Sequence, residues 1–316
     1  MAPSLAETHN QSFQPGYLAL LERMVLQERV RQAYGLLAAC TLCPRRCRVN
    51  RLEDHRGACR IGLYPIVASY GPHFGEEAPL VGSGGSGTIF FSGCNLNCSY
   101  CQNYEISQLV EGEETTPQDI ASMMLELQVR GCHNINLVSP THVVPQVLAA
   151  VALAAQSGLR LPIVYNTGGY DAPYTMRLLD GVVDIYMPDA KYASSEIARR
   201  LSGIRQYAAV NRAMIREAHR QVGVLRINRQ GIAERGLLVR HLVLPNGLAG
   251  SEETMAFLAQ EISIHTYVNI MDQYRPCYRA SSDTLLARRL TRQEYQAALA
   301  AARAVGLYRL DGYWQP

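Results

Sequence analysis

The residues best able to do chemistry in this chain are its nine cysteines, and they are unevenly spread. Cys94, Cys98 and Cys101 form a Cys-x3-Cys-x2-Cys run. Cys40, Cys43, Cys47 and Cys59 form a second group spaced x2, x3 and x11. Cys132 and Cys277 stand alone and read as small buried residues. This is not the disulfide framework of a small secreted domain. Grouped thiols in a chain with no export signal point to metal ligation in a reducing compartment. A 4Fe–4S cube is normally held by four thiolates. Three thiolates in one short loop would hold three irons and leave the fourth open to a small chelate, such as an amino acid's amine and carboxylate. The bland alternatives for this loop are a buried cysteine cluster or zinc, and zinc wants a fourth ligand and tetrahedral closure.

The upstream group does offer four thiolates. Zinc and an iron–sulfur cluster both fit it, and such a short loop favours zinc. Its neighbours Arg45, Arg46, Arg48 and Arg51 are open to contact with an acidic partner or to simple solvation, and the solvated reading is preferred.

Around these groups the composition excludes several classes. The chain has 316 residues, 48% of them hydrophobic, with a net charge of +3, which rules out a disordered chain. So small a charge argues against a general nucleic-acid binder. The longest apolar run, Val147 to Ala155, is far too short to span a membrane and reads as a helix face. The first fifteen residues lack an apolar secretory core, so a cytoplasmic location is expected.

The elements that must position the cysteines follow from periodicity. Residues 17 to 39 carry apolar positions at helical spacing and predict one N-terminal helix. Residues 60 to 87 are rich in Gly and Pro and predict loop or extended connection. The GSGGSG stretch lacks the Lys-Ser/Thr ending of a phosphate loop. Then strand-like runs (Thr88–Phe91, Ile135–Val138, Pro162–Tyr165, Val182–Met187, Leu237–Leu244, Tyr267–Met271) alternate with helical stretches. Those helices are Pro117–Arg130, Val143–Gln156, Pro173–Leu179, Ser194–Gln221 and Ser251–Ile262, with Thr291–Val305 closing the chain. Pro117 after Thr116, and Pro173 soon after Asp171, signal helix starts. A hairpin turn is expected at Arg229-Gln230-Gly231. Alternation of this kind implies a parallel α/β sheet. Six units suit an open, curved partial barrel. The expected organisation is an N-terminal helix and metal-binding cap over residues 1–84, and a core domain over residues 85–316.

The loop Gly93-Cys94-Asn95-Leu96-Asn97-Cys98-Ser99-Tyr100-Cys101, set directly after the first strand run, resembles the radical S-adenosylmethionine (SAM) superfamily. Together with Gln102 and Asn103, it looks most like the activating enzymes of glycyl-radical proteins, such as pyruvate formate-lyase activase. With the upstream Cys-Pro-Arg-Arg-Cys segment, the whole chain resembles a branch of activase-like iron–sulfur proteins. The resemblance implies a partial (βα)6 TIM-like barrel, a 4Fe–4S cluster and SAM. It implies that the cluster reduces the sulfonium of SAM, giving methionine and a 5′-deoxyadenosyl radical that takes a hydrogen from the substrate. The cofactor carries the hard chemistry, and the protein orients it and excludes water.

In such a fold the ligand groups sit at the C-terminal ends of the strands. Tyr100 is placed to shield the cluster and pack on adenine, and Asn103 to orient SAM. Where the activating enzymes carry Gly-Gly-Glu for the SAM amine, this chain has Ser139-Pro140-Thr141-His142. Ser139 or its neighbours' backbone, Thr141 or His142 would have to replace the missing carboxylate. Asn166-Thr167 resembles the family's Asp-Thr segment. Met187-Pro188-Asp189-Ala190-Lys191 matches its Met-x-Asp-x-Lys. Carried over, Asn166, Thr167, Met187 and Asp189 would hold a monovalent cation and Lys191 the SAM carboxylate. Asp189 and Lys191, two apart at a strand end, project to one side. Arg240 in a buried strand must be paired, which suggests a SAM contact; His241 faces the other way.

The resulting expectation is a radical SAM oxidoreductase fed by a flavodoxin- or ferredoxin-type donor and acting on a glycine of a glycyl-radical partner. The alternatives are modification of another peptide, a small molecule or RNA, and, from a different class, a non-catalytic electron-transfer iron–sulfur protein.

Overall fold

The computed structural model describes residues 13–312. Most of the N-terminal stretch read above for export signals, residues 1–12, lies outside the described residues. Two short helices open the fold, α1 (Gly16–Glu22) and α2 (Val25–Gly35). A single helix was expected here. Met24 takes a left-handed conformation, φ 59°, and breaks it. The break lets Tyr17 on one piece and Leu26 and Ala33 on the other reach the same core.

The sheet then begins with β1 (Ile66–His73), followed by the one-turn α3 (Ala78–Val81) and β2 (Ser86–Phe91). After the cysteine loop come α4 (Tyr104–Ser107), β3 (Glu113–Glu114), α5 (Pro117–Val129), β4 (Ile135–Val138), α6 (Val144–Gln156) and β5 (Ile163–Thr167). The chain continues through α7 (Pro173–Leu179), β6 (Ile185–Pro188), α8 (Ser195–Ser202) and α9 (Tyr207–Val222). It ends with β7 (Arg226–Ile227), β8 (Ala233–Leu242), α10 (Ser251–Phe257), β9 (Tyr267–Met271) and α11 (Arg292–Ala304).

Strands β2, β4, β5, β6, β8 and β9 pair in parallel in that order. Each lies one helical crossover from the last, as parallel pairing demands. This is the expected α/β partial barrel, with a cysteine-rich N-terminal region against it. β1 pairs antiparallel with β2, so the sheet reaches back into a segment expected as extended or looped connection. β7 and β8 form the expected hairpin. The long helix expected from Ser194 to Gln221 is two, because Gly203 and Gln206 both adopt positive φ. Helix α5 starts on a capping box between Thr116 and Asp119. Helix α7 has no side-chain cap, because its cap position is Ala172; Asp171 just before it turns inward.

Alternation sorts the strand side chains into two layers. Tyr165, Tyr186, Leu237 and Val239 face the helices. Val164, Ile185, Met187, Leu238 and Tyr267 face the barrel interior, where Leu80 of α3 plugs in among them.

Asp184, just before β6, fastens the N-terminal helix to the sheet. Its carboxylate accepts from Gly16 N (3.0 Å), Ile163 N (3.3 Å) and Arg235 Nη2 (2.9 Å). Burial pushes its pKa up to about 6 even so. The folded chain therefore holds a proton there more tightly than the unfolded chain. That stabilisation is full below the ordinary carboxylate range and is lost as pH rises through about 6. We predict that wild type loses roughly 1–3 kcal/mol relative to Asp184→Asn between about pH 4 and 7, by anaerobic denaturant titration. A constant difference across that range would refute the assignment.

Candidate active site

The cysteine loop leaves the end of β2 and is held from three sides. The carbonyls ending α8 take its backbone: Asn97 N–H donates to Ser202 O (3.1 Å) and Ser99 N–H to Leu201 O (2.7 Å). The segment after β9 covers it, with Arg279 N–H donating to Ser99 O (2.9 Å). The upstream cysteine segment lies beneath it, where a Cβ on Gly93 would stand 2.5 Å from Cys59 O. Gly93 is also at φ +76°, so both space and conformation require glycine there.

Each of the three thiols has a donor or hydroxyl partner. Leu96 N–H points at Cys94 Sγ (3.4 Å), and the Ser202 hydroxyl donates to Cys98 Sγ (3.0 Å). Cys101 Sγ and Ser107 Oγ lie 3.1 Å apart. Tyr192 donates to Ser202 in turn, at 2.6 Å, fixing which way that hydroxyl points. Burial pushes the Cys94 thiol up to about 12, with the neighbouring cysteines adding to it. Burial also raises Cys98, against the pull of Lys191. Protonated thiols are thus favoured until something binds them. Ligation would deprotonate them, and hydrogen bonds to the sulfurs are what tune a bound iron–sulfur centre. The donor set fits a cluster held by three thiolates.

Opposite the loop stand the ends of β5 and β6. Lys191 Nζ is 2.6 Å from Asp189 Oδ2, both side chains mostly buried. Burial alone works against the ammonium, but Asp189 and Cys98 hold its pKa well above the usual value. A cation is therefore fixed beside the cluster loop. Residues of α9 that sequence reasoning missed clamp these ends. Tyr207 Oη lies 2.9 Å from both Gly168 O and Asp189 O. Asn211 Nδ2 donates to Gly169 O (3.0 Å) and Asp189 O (2.8 Å). Glycine at 168 lets Leu96 of the cluster loop in: a Cβ would lie 2.3 Å from its Cδ1.

The other predicted residues fall as follows. Tyr100 is buried in edge contacts with Tyr192 and Tyr274. Asn103 is exposed at the start of α4. Ser139, at φ 58°, gives its N–H to Asn166 O (2.8 Å). Thr141 and Thr167 both donate to the buried Asp171, at 2.7 Å each, on the helix side of the sheet. Tyr165 adds a third donor to that carboxylate at 2.9 Å. Asn166 is buried at the strand end, and Met187 packs inside the barrel. His142 Nε2 lies 2.8 Å from Ser92 O, so it carries the ring proton. Burial first, and the Arg51 charge second, push its pKa down to about 3, so the ring is neutral.

Arg240 is paired, but by protein. Its Nε and Nη2 reach Glu77 at 2.6 and 2.8 Å, and Nη2 also meets Glu76. Its burial thus needs no ligand to explain it. Cys132 is buried in the core as expected, whereas Cys277 is half-exposed in the segment after β9.

Cys40, Cys43, Cys47 and Cys59 line one small cavity together with Arg45, Arg51, Asn95 and His142. Among the described residues, no three Cys, His, Asp or Glu side chains are gathered closely enough to share one ion. The thiols stand around the cavity, with Cys47 at its exposed edge. A separate cavity of about 600 Å³, lined by Met176, Arg177, Met214 and Glu217, lies between α7 and α9, away from the cysteines.

Comparison with known proteins agrees with this geometry. Residues 88–229 match the sequence profile of the Radical SAM superfamily. A protein of Methanocaldococcus jannaschii, uncharacterized protein MJ0674, is 32% identical over 297 residues, which is 91% of this chain and 80% of its own. A radical SAM methyltransferase from Sphaerobacter thermophilus shares the fold, with a TM-score of 0.50 and 17% identity over 70% of this chain. The match spans 64% of that methyltransferase, just under two thirds of its length. Residues 88–229 thus form a Radical SAM superfamily domain, and a 4Fe–4S cluster with SAM is what that family implies. No helix among the described residues is long and apolar enough to cross a membrane.

Removing the fixed cation should weaken SAM binding while sparing the cluster. We predict that Lys191→Ala raises the SAM dissociation constant about tenfold or more, the scale of one charge-assisted hydrogen bond. Iron content should stay near wild type. Unchanged affinity in an equilibrium binding measurement would remove Lys191 from the SAM site.

Proposed function

We propose that this chain is a radical SAM oxidoreductase that activates a partner protein by taking a hydrogen from one of its glycines. The observation that carries the radical chemistry is the juxtaposition of the three-cysteine loop with the Lys191–Asp189 pair at 2.6 Å. When bound, the cluster supplies one electron to the sulfonium of SAM, whose carbon–sulfur bond breaks to methionine and a 5′-deoxyadenosyl radical. Lys191 holds the SAM carboxylate. Asn166, Met187 and Asp189 would face a monovalent cation beside it, and Thr167, whose hydroxyl is given to Asp171 on the helix side, would reach it only through its backbone. Tyr100 and the segment after β9 exclude water from the loop.

With both groups bound, one hydrogen atom would pass from the glycine Cα to the 5′ carbon, giving 5′-deoxyadenosine and a glycyl radical on the partner. A flavodoxin- or ferredoxin-type protein returns the electron. The upstream four cysteines hold zinc or a second iron–sulfur cluster as a cap on the core, and the protein works in the cytoplasm. Support for the activase substrate comes from the Gly93–Asn103 run and the Met187–Lys191 segment, which resemble the activating enzymes.

The test is anaerobic reconstitution with iron and sulfide, then reduction in the presence of SAM. Wild type should form 5′-deoxyadenosine, and Cys98→Ala should form none above background. Cleavage retained in that variant would refute the cluster assignment. A glycyl-radical EPR doublet on a co-incubated partner would support the activase reading. A source genome with no glycyl-radical protein would exclude it and favour another peptide, a small molecule or RNA as substrate.

A further inference from the structure

Arg51 is among the largest fully buried side chains of the protein, 1% exposed, although it was expected to be solvated. Burying a guanidinium is costly unless its charge and all its donors are matched. Two donors are: Nε gives to Gly62 O (2.9 Å) and Nη1 to His142 O (2.6 Å). Both partners are neutral carbonyls, so neither matches the charge. The third nitrogen, Nη2, is buried with no partner. Arg51 lines the cavity enclosed by Cys40, Cys43, Cys47 and Cys59. The Asp54 carboxylate feels this charge but pairs with Arg56 instead, so a buried guanidinium with one unpartnered nitrogen stands beside four thiols and favours an anion among them.

Thiols set around a cavity, too far apart here to share one ion, suit an oxidised 4Fe–4S cube, which with four thiolates carries a net charge of −2; zinc would carry the same −2 only after drawing the four thiolates inward. We propose that Arg51 is the built-in counter-charge of a dianionic four-thiolate metal centre at Cys40, Cys43, Cys47 and Cys59. The proposal rests on the reading of these cysteines as a metal site and adds what stabilises it.

The same guanidinium joins that centre to the SAM cluster loop. Nη1 holds the His142 carbonyl, and the His142 ring holds Ser92 O at 2.8 Å, two residues before Cys94. On the other side of Cys94, Arg45 Nε donates to Asn95 O at 2.5 Å. Asn95 itself lines the four-cysteine cavity and donates to Tyr170 O at 2.7 Å. The loop is thus gripped before and after Cys94 by arginines of the upstream segment. Arg51 is a positioning residue for both centres.

The test uses the full chain, loaded anaerobically either with zinc or with iron and sulfide. It reads bound metal and sulfide, metal release to a chelator, and the gain in thermal midpoint on loading. Wild type is compared with Arg51→Met, Arg51→Lys and Cys43→Ala. Arg51→Met should release the upstream metal about 10- to 100-fold more readily, the usual cost of losing a supporting residue. Its gain in midpoint on loading should shrink, whereas a purely structural role would lower loaded and unloaded forms equally. Arg51→Lys, which keeps the charge, should recover most of both. Arg51→Met with wild-type retention and wild-type gain would overturn the proposal. Cys43→Ala binding as much metal as wild type would instead refute the metal site itself. Zinc without sulfide, or iron with equal sulfide, identifies which dianion Arg51 faces.

Discussion

The structure turns on holding Ser92 to Cys101 in one shape. A loop that must present three sulfurs to one side cannot rely on its own backbone hydrogen bonds, because too few are local. Here the anchors come from α8, from the segment after β9 and from the upstream cysteine segment. Two glycines make the approach close enough. Gly93 lets the loop lie on the Cys59 carbonyl, and Gly168 lets Leu96 enter under the end of β5. The barrel supplies the opposing face, and α9 fixes it through Tyr207 and Asn211.

Buried charge is handled in three ways around this frame. Lys191 and Asp189 neutralise each other yet remain partly accessible, which suits a zwitterionic ligand. Arg240 is satisfied internally: Glu77, held below its usual pKa by Arg240 despite burial, crosses from the β1–α3 connection and also accepts from Asn269 at 2.7 Å. That network closes the barrel interior behind Leu80 and reads as structural. Of these three cations, Arg51 is the one that keeps a buried nitrogen unmatched, and it lines the cavity of the four thiols. The contrast between Arg240 and Arg51 separates an arginine that completes the fold from one that awaits a ligand.

Much of this was legible in the sequence where the signal is local. Ile135–Val138, Tyr267–Met271 and Pro173–Leu179 emerge with the bounds their patterns predict. The cysteine groups and the Asp189–Lys191 pair were visible because ligand spacing and strand alternation act over a few residues. What escaped was set by distant partners. β1 contains Gly71 and Pro72, which weaken a strand signal, and it forms only by pairing with β2 and the two-residue β3. Met24 breaks the first helix so that both pieces can reach the shared core, a tertiary demand that periodicity cannot carry. Ser202, Tyr207, Asn211 and Arg45 act largely through backbone carbonyls and a sulfur far away in the chain. No residue pattern announces such contacts. Arg51 looked like one of four surface charges until its burial was seen.

Radical chemistry at this loop requires one iron left free by the protein so that SAM can chelate it. Electron–nuclear double resonance on the reduced, anaerobic protein with SAM labelled at its amine nitrogen and carboxylate oxygen measures this directly. Hyperfine coupling of both labels to the cluster is expected, and its loss in Cys98→Ala. A reduced cluster with no coupling to either label would contradict that requirement.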